Sequence, residues 1–395
     1  MTVTSVKYQS FRNLSETSLA FSPGVNVLWG MNAQGKSNIL EGIYYFARGR
    51  SFRGAKDRDL IMFGRDFARA EIGFAREGAS KPTSLSVMIP QTGKKKLMRS
   101  GAPLSGPAEM LGSFRAVLFC PSHLSIVSGG PAERRAFLDI AISQTSQSYI
   151  LFLSRYKKYL AERNALLKRY SAGIKVSREE WETYAMGLSS ASEEICDARR
   201  KYCELLNSDV KEYFEKMTGG RETPELRYTS HLDGSDASAS PHGNASEDGE
   251  TADTGSDGGR ELLYRKLTEN IEREAAAGST LWGPHKDDIK ITVNGRDARL
   301  FASQGQGRSI ALCMKLAEGE ISRRLTGEYP VFLLDDVFSE LDEVRRAFIM
   351  EELHGRQIII TSCEPSAVPA AYDGEGAKFF RVSGGDAAGS PEAEE

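Results

Sequence analysis

The run Gly30-Met31-Asn32-Ala33-Gln34-Gly35-Lys36-Ser37 has the types and spacing of a phosphate cradle, G-x-x-x-x-G-K-[ST]. Glycines let the backbone curl so that successive N–H groups point at phosphate oxygens. A helix beginning there adds its partial positive charge. Lys36 would reach the β and γ phosphates, the Ser37 hydroxyl would ligate Mg2+, and Asn38 continues the helix start. The pattern predicts phosphate binding with Mg2+. A chance match is the alternative in a chain with 38 glycines. The flanking pattern argues against it, with an apolar strand before the run and Ile39, Ile43 and Phe46 at helical spacing after it.

A second constellation is Val331-Phe332-Leu333-Leu334-Asp335-Asp336, an apolar strand ending in two carboxylates. The C-terminal edge of such a strand is where ligands of α/β sheets collect. Asp335 would hold Mg2+ and Asp336 would polarise an attacking water as general base. Two aspartates that merely end a strand are the plain alternative. A third is Ser303-Gln304-Gly305-Gln306, which opens an amphipathic helix whose Ile310, Met314, Ala317 and Ile321 share one face. A serine with a glycine-rich helix start is again an anion site, although an ordinary helix cap has the same residues.

The elements around these motifs follow from periodicity. Val3–Tyr8, Ser18–Phe21, Val25–Trp29, Ala68–Phe74, Leu85–Ile89 and Ala116–Phe119 read as strands. From about Ala132 to Thr218 the pattern is helical, and Gly173 with the segment around Ser177 divides it into a hairpin of two long helices. Ile289–Val293 followed by Asn294-Gly295 predicts a β-hairpin. A helix over Gly307–Leu325 and strands over Val331–Leu334 and Gln357–Ile360 complete the reading.

Composition bounds the function classes. At 395 residues the chain is long enough for two or three domains. No apolar run approaches the roughly 18 residues of a membrane span, and the N-terminal residues lack a secretory pattern. The five cysteines are scattered with no C-x-x-C pair, so neither a disulfide framework nor a zinc site is expected and a cytoplasmic setting is. The net charge is −3, yet residues 233–259 hold seven acids and 384–395 four, with no Lys or Arg in either stretch. Without them the chain carries +8, which permits nucleic-acid binding.

The order of phosphate loop, Ser303-Gln304-Gly305-Gln306 and acidic strand end, followed by Ser339-Glu340-Leu341-Asp342, resembles the ATP-binding-cassette ATPases. There the signature motif of one head closes on the γ-phosphate held by the loop of another. A transporter cassette has a much shorter gap than the 266 residues between Lys36 and Ser303, so the chain is more similar to heads of the SMC type, which carry a helical insertion. Within that group Ser10-Phe11-Arg12-Asn13-Leu14, Glu41-Gly42-Ile43-Tyr44-Tyr45, Gly49-Arg50-Ser51-Phe52-Arg53, the block Gly130–Asp139, Gly283-Pro284-His285-Lys286-Asp287-Asp288 and Gln304-Gly305-Gln306-Gly307-Arg308 resemble the RecF family in order.

The resemblance implies an α/β fold: a P-loop ABC/SMC-type ATPase head of mixed sheets and flanking helices with an inserted helical arm. It divides the chain into residues 1–130 (N-terminal half of the head), 131–225 (arm), 226–260 (disordered acidic insert), 261–383 (C-terminal half) and 384–395 (flexible acidic tail). It implies that the bound phosphates are those of ATP, with Mg2+, and that the chain is a weak, DNA-stimulated ATPase whose ATP-dependent homodimer binds duplex DNA and single-strand/duplex junctions. It would act with RecR and RecO to favour RecA loading at gaps, with no membrane partner. Arg12 and Asn13 would contact nucleotide, Gly305 and Gln306 would join Ser303 over the phosphate, and Lys36, Ser303, Asp335 and Asp336 would carry catalysis.

Several positions depart from the family. Ala33 stands for a glycine, at a cost of about 1 kcal/mol if φ is positive there. Ser122 and His123 follow Cys120-Pro121 where acids are usual, and Thr361-Ser362 replace the cassette's switch histidine, consistent with slow hydrolysis. Arg134 and Arg135 could reach DNA or a partner head, or form surface ion pairs. Arg48, Arg50, Arg53, Lys56 and Arg58 form a basic cluster, Lys94-Lys95-Lys96 a charged turn, and His285 reads as structural. A transporter-type cassette and a nucleotide-gated scaffold with incidental hydrolysis remain the other classes that this sequence permits.

Overall fold

The computed structural model describes residues 1–232, 256–364 and 377–389. The first part of the chain runs β1 (Thr2–Phe11), β2 (Leu14–Ala20), β3 (Val25–Trp29), α1 (Lys36–Arg48), β4 (Phe67–Ala75), β5 (Thr83–Pro90), β6 (Lys96–Arg99), β7 (Ala102–Pro103), α2 (Pro107–Met110) and β8 (Ala116–Phe119). Helices α3 (Pro131–Thr145), α4 (Gln147–Ser171) and α5 (Arg178–Thr218) follow. Then come β9 (Pro224–Thr229), α6 (Ser256–Glu269), α7 (Ile271–Ala277), β10 (Asp288–Val293), β11 (Arg296–Asp297), α8 (Ala298–Phe301) and α9 (Gln304–Thr326). The last described elements are β12 (Val331–Asp335), α10 (Glu343–Glu352), β13 (Ile358–Ser362), β14 (Lys378–Ser383) and β15 (Asp386–Gly389).

Two six-stranded sheets build the head. One has the order β2-β1-β4-β5-β6-β7, and the other β15-β14-β3-β13-β12-β8. In the second, β3, β13, β12 and β8 run parallel, and the runs Ile358–Ile360 of β13 and Val331–Leu334 of β12 are apolar because both faces are covered. Alternation along β12 shows this. Val331 and Leu333 join the core that contains α1 and the first sheet, whereas Phe332 and Leu334 join the core beneath α9 and the arm. Helix α1 packs so close to β1 that a Cβ on Gly42 would lie 2.2 Å from the Tyr8 ring, while the Tyr8 hydroxyl donates to Ile39 O at 2.8 Å.

The arm is the predicted hairpin of α4 and α5. Its second helix starts at a capping box in which Glu180 N–H donates to Ser177 Oγ (3.2 Å) and Ser177 N–H to Glu180 Oε2 (3.0 Å). The blocks around Arg134 and Asp288 are joined. Arg134 is buried and donates two hydrogen bonds to Asp288 at 2.7 and 2.8 Å, and Arg135 donates to Asp287 O at 2.7 Å. Arg134 is therefore a strut between α3 and β10, not a free cation facing DNA or another head.

Two stretches differ from the sequence reading. The acidic insert at 226–260 is corrected at both ends: β9 pairs with β10 through residue 229, and α6 is helical from Ser256. Buried Leu226, Leu263 and Leu267 anchor these flanks, and overall acidity masked them. The disorder expected for 233–255 lies outside the described residues. The tail at 384–395 is corrected over its described part, because β15 forms a hairpin with β14 about Gly384-Gly385, both at positive φ. Residues 390–395 lie outside the described residues. No described helix is long and apolar enough to cross a membrane.

Two half-buried histidines should give the head a pH dependence. His285 accepts the Tyr156 hydroxyl at Nδ1 (2.5 Å) and faces Thr280 O with Nε2 (3.0 Å). Burial, more than any neighbouring charge, pushes it down to about 4. His123 Nδ1 lies 2.9 Å from Leu118 O, and burial, with Lys315 adding to it, pushes it down to about 3. Unfolded histidine titrates near 6.5, so below that pH the unfolded chain binds more protons and stability falls toward pH 4. Each histidine contributes up to about 1.4 kcal/mol per pH unit. Urea midpoints should drop between pH 7 and pH 5, and by less in His285→Gln. An identical drop in both proteins excludes His285 as a source.

Candidate nucleotide-binding site

Strand β3 and helix α1 are separated by residues 30–35, which form the loop. Gly30 adopts φ 148°, and a Cβ there would lie 2.3 Å from Val382 O. Ala33 adopts φ 64°, the left-handed backbone that the family's glycine takes freely, so the strain expected from sequence is present. Gly35, at φ 114°, precedes α1 and offers no side chain to cap its first amides. Those N–H groups and the helix dipole form an anion site. Lys36 Nζ is drawn back over the loop, donating to Gly30 O (2.5 Å) and Met31 O (2.8 Å).

A cleft of about 330 Å³ opens beside the loop, lined by Asn13, residues 32–38, Arg53, Asp336 and Thr361. Asn13 is fixed there, donating to Gln34 O at 3.2 Å and accepting from Asn38 Nδ2 at 2.8 Å. Arg53 donates to Asn38 Oδ1 at 3.0 Å. Gly384 N–H donates to Gln34 Oε1 (2.6 Å) and Gly385 N–H to Gln34 O (2.9 Å), so the terminal hairpin braces the loop. Arg12 does not line the cleft. The buried carboxylate of Glu41 holds its guanidinium by hydrogen bonds of 2.9 and 2.8 Å, and Nη1 donates to Asp59 O at 2.9 Å. Arg12 is thereby anchored to α1, next in sequence to the cleft-lining Asn13.

Asp335 is buried behind the cleft and Asp336 is exposed at its edge, with φ 52°. Thr361 joins them: its hydroxyl donates to Asp335 Oδ1 at 3.0 Å and accepts the Asp336 N–H at 2.9 Å. This relay was not legible, because it depends on the register that sets Asp335 opposite Thr361 across β12 and β13. The role of Arg53 was visible only as one charge in a basic cluster. Thr361→Val should slow ATP hydrolysis about 10- to 100-fold, since losing an orienting hydrogen bond costs roughly 1–3 kcal/mol. Thr361→Ser should restore it, with ATP affinity nearly constant throughout. Unchanged turnover in Thr361→Val excludes the relay.

Ser303, Gly305 and Gln306 are not among the residues lining this cleft. Ser303 caps α9, accepting Gln306 N–H at 3.1 Å, while Gln306 Oε1 accepts Ser303 N–H at 2.7 Å. Arg345 Nη2 donates to Gly305 O at 3.1 Å, and Gln306 Nε2 to Glu222 Oε1 at 2.6 Å. Thus one chain brings together Gly30–Asn38, Asn13, Asp335 and Asp336 and leaves the α9 start outside.

The donor set suits ATP–Mg2+. Uncapped helix amides and an ammonium receive phosphate oxygens. Ser37 and Asp335 would hold the ion together with phosphate and water. Mg2+ is commonly bound by one or two carboxylates rather than a protein cage, and no cluster of three or more His, Cys, Asp or Glu able to hold a metal occurs among the described residues.

A phosphate loop on β3, an acidic end to β12 two strands away, and the helical arm inserted before α9 define the head of a P-loop ATPase of the ABC/SMC class. Residues 2–383 match the family model described as RecF/RecN/SMC N terminal domain. The chain is 35% identical to the DNA replication and repair protein RecF of Thermoanaerobacter sp. over 376 residues, covering 95% of this chain and 96% of that one. It is 35% identical to that of Clostridium novyi over 385 residues, covering 98% and 99%. The chain belongs to the RecF family. Among solved structures, the recombination mediator protein RecF of the RecFOR pathway matches as RecF-ATPrS, with TM-score 0.87, 33% identity and 98% of both chains covered. Its RecF-ATP structure matches with TM-score 0.84 at 33% identity, covering 99% of this chain and 98% of that one. An Smc head bound to a winged-helix domain shares the fold at TM-score 0.54 and 16% identity, covering 99% and 98%.

Proposed function

We propose that the chain is an ATP-dependent DNA-binding protein of recombinational repair and replication restart that works as an ATP-sandwich homodimer. The observation that supports this best is the division of the site. The phosphate loop, Asn13, Asp336 and Thr361 line one cleft, while Ser303, Gly305 and Gln306 lie at the half-exposed start of α9 outside it. Signature residues that do not serve their own cleft are free to close over the γ-phosphate in a second copy. Lys36 and the loop amides orient the phosphates, Ser37 and Asp335 hold Mg2+, and Asp336 assists the attacking water. Catalysis of this kind is positioning and charge stabilisation. With Thr361 where cassette ATPases place a histidine, hydrolysis is slow and acts as a release step. Working with RecR and RecO, the DNA-bound dimer would favour RecA loading at single-strand gaps.

The test is molecular mass and DNA binding measured together, with Mg2+ and ATP, ADP or no nucleotide, on duplex, single-stranded and gapped DNA at stated salt. ATP should give a dimer that binds DNA, Ser303→Arg should abolish both, and Asp336→Asn should prolong both. A protein that stays monomeric with ATP, or binds DNA equally without it, overturns the reading.

A further inference from the structure

Two clefts meet at Arg50. One, of about 250 Å³, lies between the end of α1 and the arm, with Arg48, Arg50, Asp139 and Lys157 around an apolar floor that includes Leu111 and Leu153. The other, of about 540 Å³, is lined by Arg50, Lys56, Asp57, Arg58 and Lys95 along the first sheet. Six cations thus face two carboxylates, and both carboxylates are already engaged. Asp139 takes Arg199 at 2.7 Å and the Tyr149 hydroxyl at 2.6 Å, leaving Lys157 at 3.6 Å. Asp57 takes Lys95 at 2.9 Å and the Tyr45 hydroxyl at 3.1 Å. Arg48, Arg50, Lys56 and Arg58 make no ion pair among the described residues, and the buried Arg48 Nε has no hydrogen-bond partner. Burial holds Arg48 and Lys157 below their ordinary values, and repulsion from Arg50 adds to this in both. Unpaired cations gathered on one face of a chain of net charge −3 cost self-repulsion that a bound polyanion would relieve.

We propose that the joined clefts hold the phosphodiester backbone of DNA, with Arg48, Arg50 and Lys157 on one stretch and Lys56 and Arg58 on the next. This rests on the reading of the chain as a DNA-binding ATPase and assigns the surface that does the binding. The same segment couples that surface to nucleotide. Between Arg48 and Arg58 it sends Arg53 into the nucleotide cleft. Ser51 ties it to α1, because its hydroxyl donates to Glu41, the carboxylate that also holds Arg12. A shift of Asn38 against Arg53 is therefore transmitted to Arg50 and Lys56 through a few covalent links.

The experiment compares wild type with Arg50→Ala/Lys157→Ala, Lys56→Ala/Arg58→Ala and, as a control, Arg227→Ala/Lys290→Ala on the exposed side of β9 and β10. Each is titrated with labelled duplex, single-stranded and gapped DNA in Mg2+-ATP across a salt series. ATP affinity and the denaturation midpoint are measured alongside. Both cleft variants should bind duplex at least tenfold more weakly. Their salt slope should be lower by about 0.9 for each phosphate no longer neutralised, or by about 0.7 if single strands are the ligand. The control, the ATP affinities and the midpoints should match wild type. Wild-type DNA binding that survives in both cleft variants overturns this assignment alone. A wild type that binds no DNA in any nucleotide state overturns the proposed function and this inference with it.

Discussion

Lys36→Ala is expected to remove ATP hydrolysis and most ATP binding without unfolding the head. The ammonium is held directly over the loop, 2.5 Å from Gly30 O and 2.8 Å from Met31 O. Alanine leaves α1 its core face, since Ile39, Leu40 and Ile43 carry the packing. Loss of one preorganised contact to transition-state charge costs about 3–4 kcal/mol, or roughly 10²- to 10³-fold in turnover. Hydrolysis measured under saturating ATP, beside a thermal melt, separates this from misfolding. A variant that melts with wild type and hydrolyses within threefold of it would remove Lys36 from the mechanism.

Glu274→Ala is expected to destabilise the fold by about 3–5 kcal/mol, the cost of stranding a buried charge. Arg163 on α4 is fully buried, as is Glu274 on α7, and Nη2 lies 2.6 Å from Glu274 Oε2. The contact is chiefly charge against charge. Arg163 spends its donors on Leu267 O (2.6 Å) and Thr280 Oγ1 (3.1 Å), and Oε2 receives no aligned hydrogen bond. Glu274 Oε1 also accepts Leu281 N–H at 2.7 Å. Removing the carboxylate leaves the guanidinium in an apolar seam beside Trp181, 5.7 Å away. The double change Arg163→Met/Glu274→Leu should recover part of the stability, since no buried charge is left unpaired, while Leu281 N–H and Leu267 O still lose their side-chain partners. Denaturant midpoints decide it, and a single variant within 1 kcal/mol of wild type would mean that water reaches Arg163.

The chemistry-bearing parts of the site were the most legible in sequence. The loop at Gly30–Ser37 and the carboxylates after Leu334 are local patterns, and their strands announce themselves as apolar runs bounded by glycine or proline. Ser303 was legible as a helix start, because a capping box is written within four residues. Contacts that depend on register or on distant partners left no local trace. Arg163 sits on a helix whose periodicity says nothing of Glu274, the ion pair of Arg12 with Glu41 spans 29 positions, and the bonds of Thr361 to Asp335 and Asp336 depend on strand register. The two departures in secondary structure share a cause. Acidic composition at 226–260 and at 384–395 suggested chain too polar to pack, yet Leu226, Leu263 and the Gly384-Gly385 turn anchor parts of both.

The pairing of β3 has a consequence for the order of events during synthesis. Among the described strands, the one that carries the phosphate loop pairs with β13 and β14, residues 358–362 and 378–383, and the loop is braced by the turn at 384–385. At about 5–20 residues per second on the ribosome, β3 waits about 16 to 70 s for its neighbours. A fully paired β3 therefore waits for residues 358–362 and 378–383. A chain interrupted within the arm leaves β3 without its neighbours β13 and β14, open to pairing with other chains.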